Sequence, residues 1–174
     1  MSQLKVNSIV PAGGLPSGAN GGIIQVVTST KTDTFSSTTA GSFLDISLNA
    51  TITPQSNSSN ILILASVNCA GSDTGLRFMT GIFRGSTQIA QGDASSSRQR
   101  CSWQGVGTHA NAQHSVNHNF IDTGISTTSA TTYHIKLFNE ASGYNVYVNR
   151  SHTDGDSSTH GRSISSITLM ELGG

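Results

Sequence analysis

Hydrophobic and polar positions alternate most cleanly between Leu44 and Ile52. Leu44, Ile46, Leu48, Ala50 and Ile52 fall on one side, and Asp45, Ser47, Asn49 and Thr51 on the other. A period of two is that of a half-buried β-strand, because successive side chains on a strand point to opposite faces. Thr53-Pro54 and the polar stretch Gln55–Asn60 end it. The next run, Ile61-Leu62-Ile63-Leu64-Ala65-Ser66-Val67, is apolar on both faces through its first half. A strand with one face in water has no use for a second apolar face. A chain of 174 residues has little mass to cover both sides of a sheet, so this run points to an interface with another subunit.

Further strands are expected at Ile23–Thr30, Leu76–Arg84, Thr87–Gln91, Cys101–Val106, His114–Ile121, Thr132–Phe138, Tyr144–Arg150 and Ser163–Leu172. Gly85-Ser86 makes a two-residue hairpin turn. Asn139–Gly143 makes the next hairpin, with Gly143 free to take a left-handed conformation. No window keeps a 3.6-residue period, and the chain holds 2 Glu and 3 Lys. Regularly spaced short strands predict an all-β fold, an antiparallel β-sandwich of the jelly-roll kind, over residues 23–174. Counted as alternating up and down, these strands would place connections 31–41, 70–75, 92–100, 122–130 and 152–161 at the end opposite both termini.

Residues 1–22 read differently. Pro11–Gly22 is rich in Gly and Pro and favours neither helix nor ladder, yet Leu4, Val6, Ile9 and Val10 precede it. An apolar tip on a Gly/Pro tether predicts an extended N-terminal arm, residues 1–22, that anchors on a neighbour through those four residues.

Composition narrows the function classes. Charged residues are 10% of the chain and the formal charge is zero, so the basic surplus of a nucleic-acid binder is missing. Ser, Thr, Asn and Gly together supply 79 residues. No run approaches the length of a membrane span, and Met1–Lys5 does not open a signal peptide. The expectations are therefore no nucleic acid, no membrane insertion and synthesis in the cytoplasm. Cys69 and Cys101 lie 32 positions apart without a metal-ligand pattern and read as small hydrophobes rather than a disulfide.

Candidate chemistry is sparse. There is no G-x-S-x-G elbow and no S-x-x-K motif. Glu140 and Glu171, in a turn and at the C-terminal end, do not read as the carboxylate pair of a glycosidase. His114, Val116, His118 and Phe120 share one strand face by parity. Two histidines four apart on a strand are about 13 Å from each other, too far to chelate one ion. A threefold axis could gather three imidazoles, but hydrogen-bonded histidines beside the core or interface are the preferred reading. Asp154-Gly155-Asp156 reads as a turn, since the EF-hand spacing is missing, and Trp103 as a packing residue. No cofactor, no metal and no catalysis are expected, with a carbohydrate-active enzyme as the remote alternative.

Several segments, in this order, resemble small virion proteins of tailed bacteriophages, notably marine phages and those of cyanobacteria. They are Leu4–Val10, Gly22–Val27, Lys31–Ser36, Ile52–Ser56, Ile61–Ile63, Thr132-Tyr133 with Val148–Arg150, and Ser165–Leu172. The resemblance spans nearly the whole chain, apart from Cys101–Asn119. It implies a non-enzymatic structural protein of the virion, a tail-fibre or appendage subunit or else a capsid decoration, with a jelly roll of the trimeric TNF/C1q-like kind. Its expected partners are itself, as a homotrimer, other virion proteins, and a host surface glycan or protein. Ile61, Leu62, Ile63, Leu64, Tyr133, Tyr147 and Leu169 are expected to divide between core and trimer interface. With the arm holding the virion, outward loops would carry the candidate host-contact residues Asp93, Arg98, Arg100, Asp154, Asp156 and His160.

Overall fold

A computed structural model of the chain describes residues 22–173. Those residues form eleven strands: β1 (Ile23–Lys31), β2 (Phe35–Ser37), β3 (Phe43–Ile52), β4 (Asn60–Gly71), β5 (Arg77–Arg84), β6 (Thr87–Ile89), β7 (Trp103–Val106), β8 (His114–Asp122), β9 (Thr131–Asn139), β10 (Val146–Val148) and β11 (Ser165–Leu172). Every pairing is antiparallel.

Sheet A runs β1-β11-β4-β8. β10 follows β11's line along β4, pairing with Cys69–Gly71 where β11 pairs with Asn60–Ser66, and β2 pairs with β10. Sheet B runs β3-β9-β5, with β6 and β7 sharing the far side of β5. β1/β2, β6/β7 and β10/β11 are thus three strands interrupted by excursions. Treated as such they leave eight, and consecutive strands cross between sheets as in a jelly roll, except at the β5–β6 hairpin within sheet B.

The core forms where the two inner faces meet. β3 supplies Ile46, Leu48, Ala50 and Ile52, and β4 supplies Ile61, Ile63, Ala65, Val67 and Cys69. The alternation read from β3 survives a bulge. Asp45 lies opposite Lys136 and Leu48 opposite Ile135, so two extra residues are inserted and parity is kept. Ser47 pays the conformational strain there, with φ at 58°.

Two buried carboxylates tie the lower end together. Asp122 accepts from Arg84 Nη1 (2.8 and 3.0 Å), from the Tyr133 hydroxyl (2.7 Å) and from the Gly124 amide (3.0 Å). Burial, and then the neighbouring carboxylate, hold the Tyr133 phenol above its usual range. For Glu171, burial alone would raise the carboxyl, but donors from Gln25, Ser59 and the Gln55 amide outweigh it and hold it below the usual range. A buried polar group needs this degree of satisfaction.

The structure corrects several expectations. Phe35–Ser37 is a strand the pattern did not show, and it pairs with β10. The expected strand Tyr144–Arg150 shrinks to Val146–Val148, because buried Asn149 takes φ 61° and turns the chain away. Asn139–Gly143 is no hairpin. β9 pairs with β3 and β5, whereas β10 pairs with β4 and β2, so this turn crosses between sheets. Gly143 does take the left-handed conformation, at φ 85°. Gly85-Ser86 is the expected two-residue turn, closed by Arg84 opposite Thr87, with Gly85 at φ 57°.

The end-to-end layout differs as well. The Gly173 amide donates to the Gly22 carbonyl, and connections 53–59 and 123–130 lie at that same end, following the register of β4 with β8 and β11. The opposite end carries 38–42, 72–76, 107–113 and 140–145. Segment 122–130 is therefore at the wrong end for the sequence expectation. Residues 90–102 and 149–164 are sideways excursions within interrupted strands. Alternation failed as a guide because Thr87–Gln91 and Cys101–Val106 are halves of one interrupted strand, and Tyr144–Arg150 and Ser163–Leu172 halves of another.

Candidate functional site

The register of sheet A assembles an apolar row on its outer face from four distant parts of the chain. Val26 lies opposite Met170, Met170 opposite Leu62, and Leu62 opposite Ile121. Directly opposed residues in antiparallel strands share a face, so the row crosses β1, β11, β4 and β8 in one line. Its ends are about half exposed, Val26 at 54% and Ile121 at 47%. Ile23 and Leu64 add to the exposed apolar surface. On the far side of Leu64 the same face turns polar. Ser66, Asn117, Asn119, Ser166 and Thr168 line a shallow groove of about 350 Å³ that begins at Leu64.

Farther up, excursion 149–164 covers this face. Asn149 anchors it: its Nδ2 donates to the carbonyls of Lys31 and Asp33 (2.9 Å each), and its Oδ1 accepts from Ser165 Oγ at 2.6 Å. Tyr147, on β10, is 5% exposed beneath it. The Tyr147 hydroxyl meets His152 Nδ1 at 2.8 Å, and the Arg150 guanidinium sits 4.7 Å from the ring centroid. The excursion reaches the start of β8 through the Thr153 amide to the Ala110 carbonyl and Gln113 Nε2 to the Gly161 carbonyl, 3.0 Å each.

The outer face of sheet B covers itself. Phe43 lies opposite Phe138, Phe138 opposite Met79, and Phe83 joins them across Gly81. The Phe43 ring stands 5.2 Å from that of Phe83 and 5.5 Å from that of Phe138. Lys136 Nζ lies 4.6 Å above the Phe83 ring. Phe83, Met79 and Phe138 are 7–8% exposed.

Of the seven residues expected to divide between core and interface, Ile61, Ile63, Leu169 and Tyr133 point into the sandwich at 0% exposure. Tyr147 is covered by the excursion. Leu62 and Leu64 face outward. Sequence reasoning missed Val26, Ile121 and Met170; the signal was their register with Leu62, which no local pattern reveals. Leu4, Val6, Ile9 and Val10 lie outside the described residues.

The host-contact candidates do not gather. Asp93, Arg98 and Arg100 are exposed on excursion 90–102, where Arg100 Nε donates to the Gly92 carbonyl at 2.6 Å. Asp154 is held by Arg162 (2.6 Å) and Arg150 (3.1 Å) inside the other excursion, which leaves it little capacity for a ligand. Exposed Asp156 and half-buried His160 line the same loop.

His118 faces inward, as parity required, and meets Thr80 Oγ1 on sheet B at 2.9 Å. Burial pushes its imidazole down to about 4. It therefore faces the interior of the sandwich rather than the outer face of sheet A. Cys69 is buried, its thiol pushed up to about 12 by desolvation, while Cys101 is half-buried; both are free. Among the described residues no three His, Cys, Asp or Glu converge as a metal site.

No protein-family model and no curated protein matches the chain. Three solved structures to which it is similar come from infectious bursal disease virus. The Gx strain structure aligns with TM-score 0.46 and 15% identity, over 85% of this chain and 36% of that one. The virus-derived T=1 particles give 0.44 and 14%, over 86% and 36%. The VP2 subviral particle gives 0.43 and 13%, over 85% and 37%. The chain thus spans little more than a third of the length of those chains, and a similarity this distant assigns it no function.

Proposed function

We propose that the chain is a non-enzymatic structural subunit of a tailed-phage virion. In this reading it is a tail-fibre or appendage protein that assembles as a homotrimer through the outer face of sheet A. The observation that supports assembly is the row Val26, Met170, Leu62 and Ile121, an unbroken apolar line across the sheet, extended by exposed Ile23 and Leu64 and bordered by Ser66, Asn117, Asn119, Ser166 and Thr168. Burying such a row contributes roughly 25 cal/mol per Å², and a standard interface covers about 800 Å² per partner. The virion assignment is supported by the ordered sequence resemblance at Leu4–Val10, Lys31–Ser36, Ile61–Ile63 and Ser165–Leu172. Exposed Asp93, Arg98, Arg100 and Asp156 are the residues left to meet a host surface glycan or protein, because Asp154 is internally paired.

Two measurements test this reading. Light scattering of the full chain at micromolar concentration should give three times the protomer mass, and a stable monomer would overturn the trimer. Counting copies in purified particles should give a few tens for an appendage. Hundreds would instead make it a capsid decoration that stabilises the head.

A further inference from the structure

A sandwich of two open sheets has four edges, and three of them here are blunted. β1 carries a register shift between Ile23 and Gln25 and ends at the ion pair of buried Lys31 with exposed Asp33. β3 is bulged between Asp45 and Leu48. The β6/β7 edge is interrupted by thirteen residues, 90–102. Bulges, charges and interruptions are the usual devices that keep an edge from pairing with another chain.

β8 has none of them. It is nine residues long and pairs with β4 without a break, from Asp122 opposite Ile61 to His114 opposite Cys69. It contains no Pro, Lys or Arg, and its single Asp is turned inward onto Arg84 and Tyr133. Among the described residues, nothing pairs with its other side. Beside that edge lies a cleft of about 410 Å³, with Ile82, Ala90, Cys101, His118 and Phe120 in its lining. The cleft is placed to receive the inward side chains of an added strand.

We propose that Leu4–Val10 of a second copy of this chain fills that edge, adding a strand to sheet A beside β8. The segment has the pattern such a strand needs. Leu4, Val6 and Val10 share one parity and would enter the cleft beside Val116, His118 and Phe120. Eleven residues, 11–21, join it to Gly22 and span up to about 36 Å when extended. Gly22 leaves the sandwich at β1, whereas the receptive edge is β8, at the opposite side of the sheet and about 14 Å away across three strand spacings. A segment that leaves one edge and is received at the opposite edge of the next copy makes a head-to-tail contact, the kind that closes into a ring. The proposal rests on the trimer reading above and names how its subunits are linked. It gives the arm a different partner from another virion protein.

The test uses the full chain. Hydrogen exchange should show protection of the β8 amides that point away from β4. Val6→Pro with Ser8→Pro removes two donors and fixes φ in the added strand, outside the residues that form the sandwich. In that variant the same amides should exchange at least about tenfold faster, and subunit association should weaken at least about tenfold in sedimentation. Unchanged β8 exchange between wild type and variant, in a chain that is still a trimer, overturns strand addition and leaves the trimer reading standing. A monomeric wild type overturns both. β8 protection that persists at dilutions where the chain is monomeric places the segment on its own sheet and overturns exchange between copies. A variant that stays a full trimer but is missing from particles makes the arm a virion anchor, and that too overturns the proposal.

Discussion

The outer faces of the two sheets solve the same problem in opposite ways. On sheet B, large apolar side chains that parity sends outward cluster against one another. Phe43, Phe83 and Phe138 close over Gly81, with Lys136 above them, and little apolar surface is left to water. On sheet A the outward apolar residues are aliphatic and lie in a single file, so Val26, Leu62, Ile121 and Met170 have too few neighbours to hide behind. An aromatic cluster satisfies itself within one subunit, whereas a file needs a surface brought from elsewhere. An exposed apolar position is thus informative only once its lateral neighbours are known.

Four perturbations sharpen this contrast, the largest first. Leu62→Asp combined with Met170→Asp places two charges in the file. Under the trimer reading the expected outcome is a folded monomer in sedimentation velocity, with association weakened at least about a thousandfold. An unchanged trimer would mean that copies meet elsewhere. On the other face, Phe83→Ala should lower unfolding free energy by about 3 kcal/mol in denaturant titration, without any change of mass. A loss of trimer in that variant would erase the distinction between the faces.

Acid acts between the faces. The His118 imidazole is neutral in the fold, held near 4, but titrates near 6.5 when unfolded. The unfolded chain therefore binds more protons between those values. The stability from this group is complete above about pH 6.5 and is lost as pH falls toward 4, to the extent of about 3 kcal/mol. Thermal melts from pH 7.5 to 4.5 should show the decline, and His118→Gln should flatten it. The smallest effect concerns Gly81. A Cβ there would sit 2.9 Å from the Phe43 ring and 3.0 Å from that of Phe83. Gly81→Ala should cost about 1 kcal/mol, while Ser66→Ala on the open face should change stability by less than about 0.5 kcal/mol. Equal effects at both positions would show that the Phe cluster is not tightly packed.

Much of this fold was legible from periodicity. The alternation of Leu44–Ile52, the two-faced start of β4 and the Gly85-Ser86 turn are each confined to a few consecutive residues, where strand geometry acts directly. The misses have longer range. Phe35–Ser37 is too short to carry a pattern, and it forms a strand because β10 lies beside it. Tyr144–Arg150 was read as one strand because the turning element, Asn149, acts through partners at Lys31, Asp33 and Ser165. The Asn139–Gly143 turn is long enough to serve a hairpin or a crossing, and local sequence does not separate the two. The candidate site shows the same division. Leu62 and Leu64 were visible as surplus apolar residues, but the file that contains Leu62 joins positions 26, 62, 121 and 170 and exists only after the sheet has formed. The Phe43 cluster was invisible for the same reason.

The place of β11 governs when the protein can come into being. It is the last of the described strands, yet it lies between β1, the first of them, and β4. During synthesis β1 has no partner within sheet A until Ser165–Leu172 has emerged, and β4 keeps one side bare over Asn60–Ser66 for nearly as long. Contacts so distant in sequence form slowly, since the ends of the chain must be brought together before any of them stabilises the whole. On a polysome, many nascent copies wait together at this stage with apolar strands uncovered. Emergence of Ser165–Leu172 is then the event that lets sheet A close, and neighbours competing for the same open strands are present when it does.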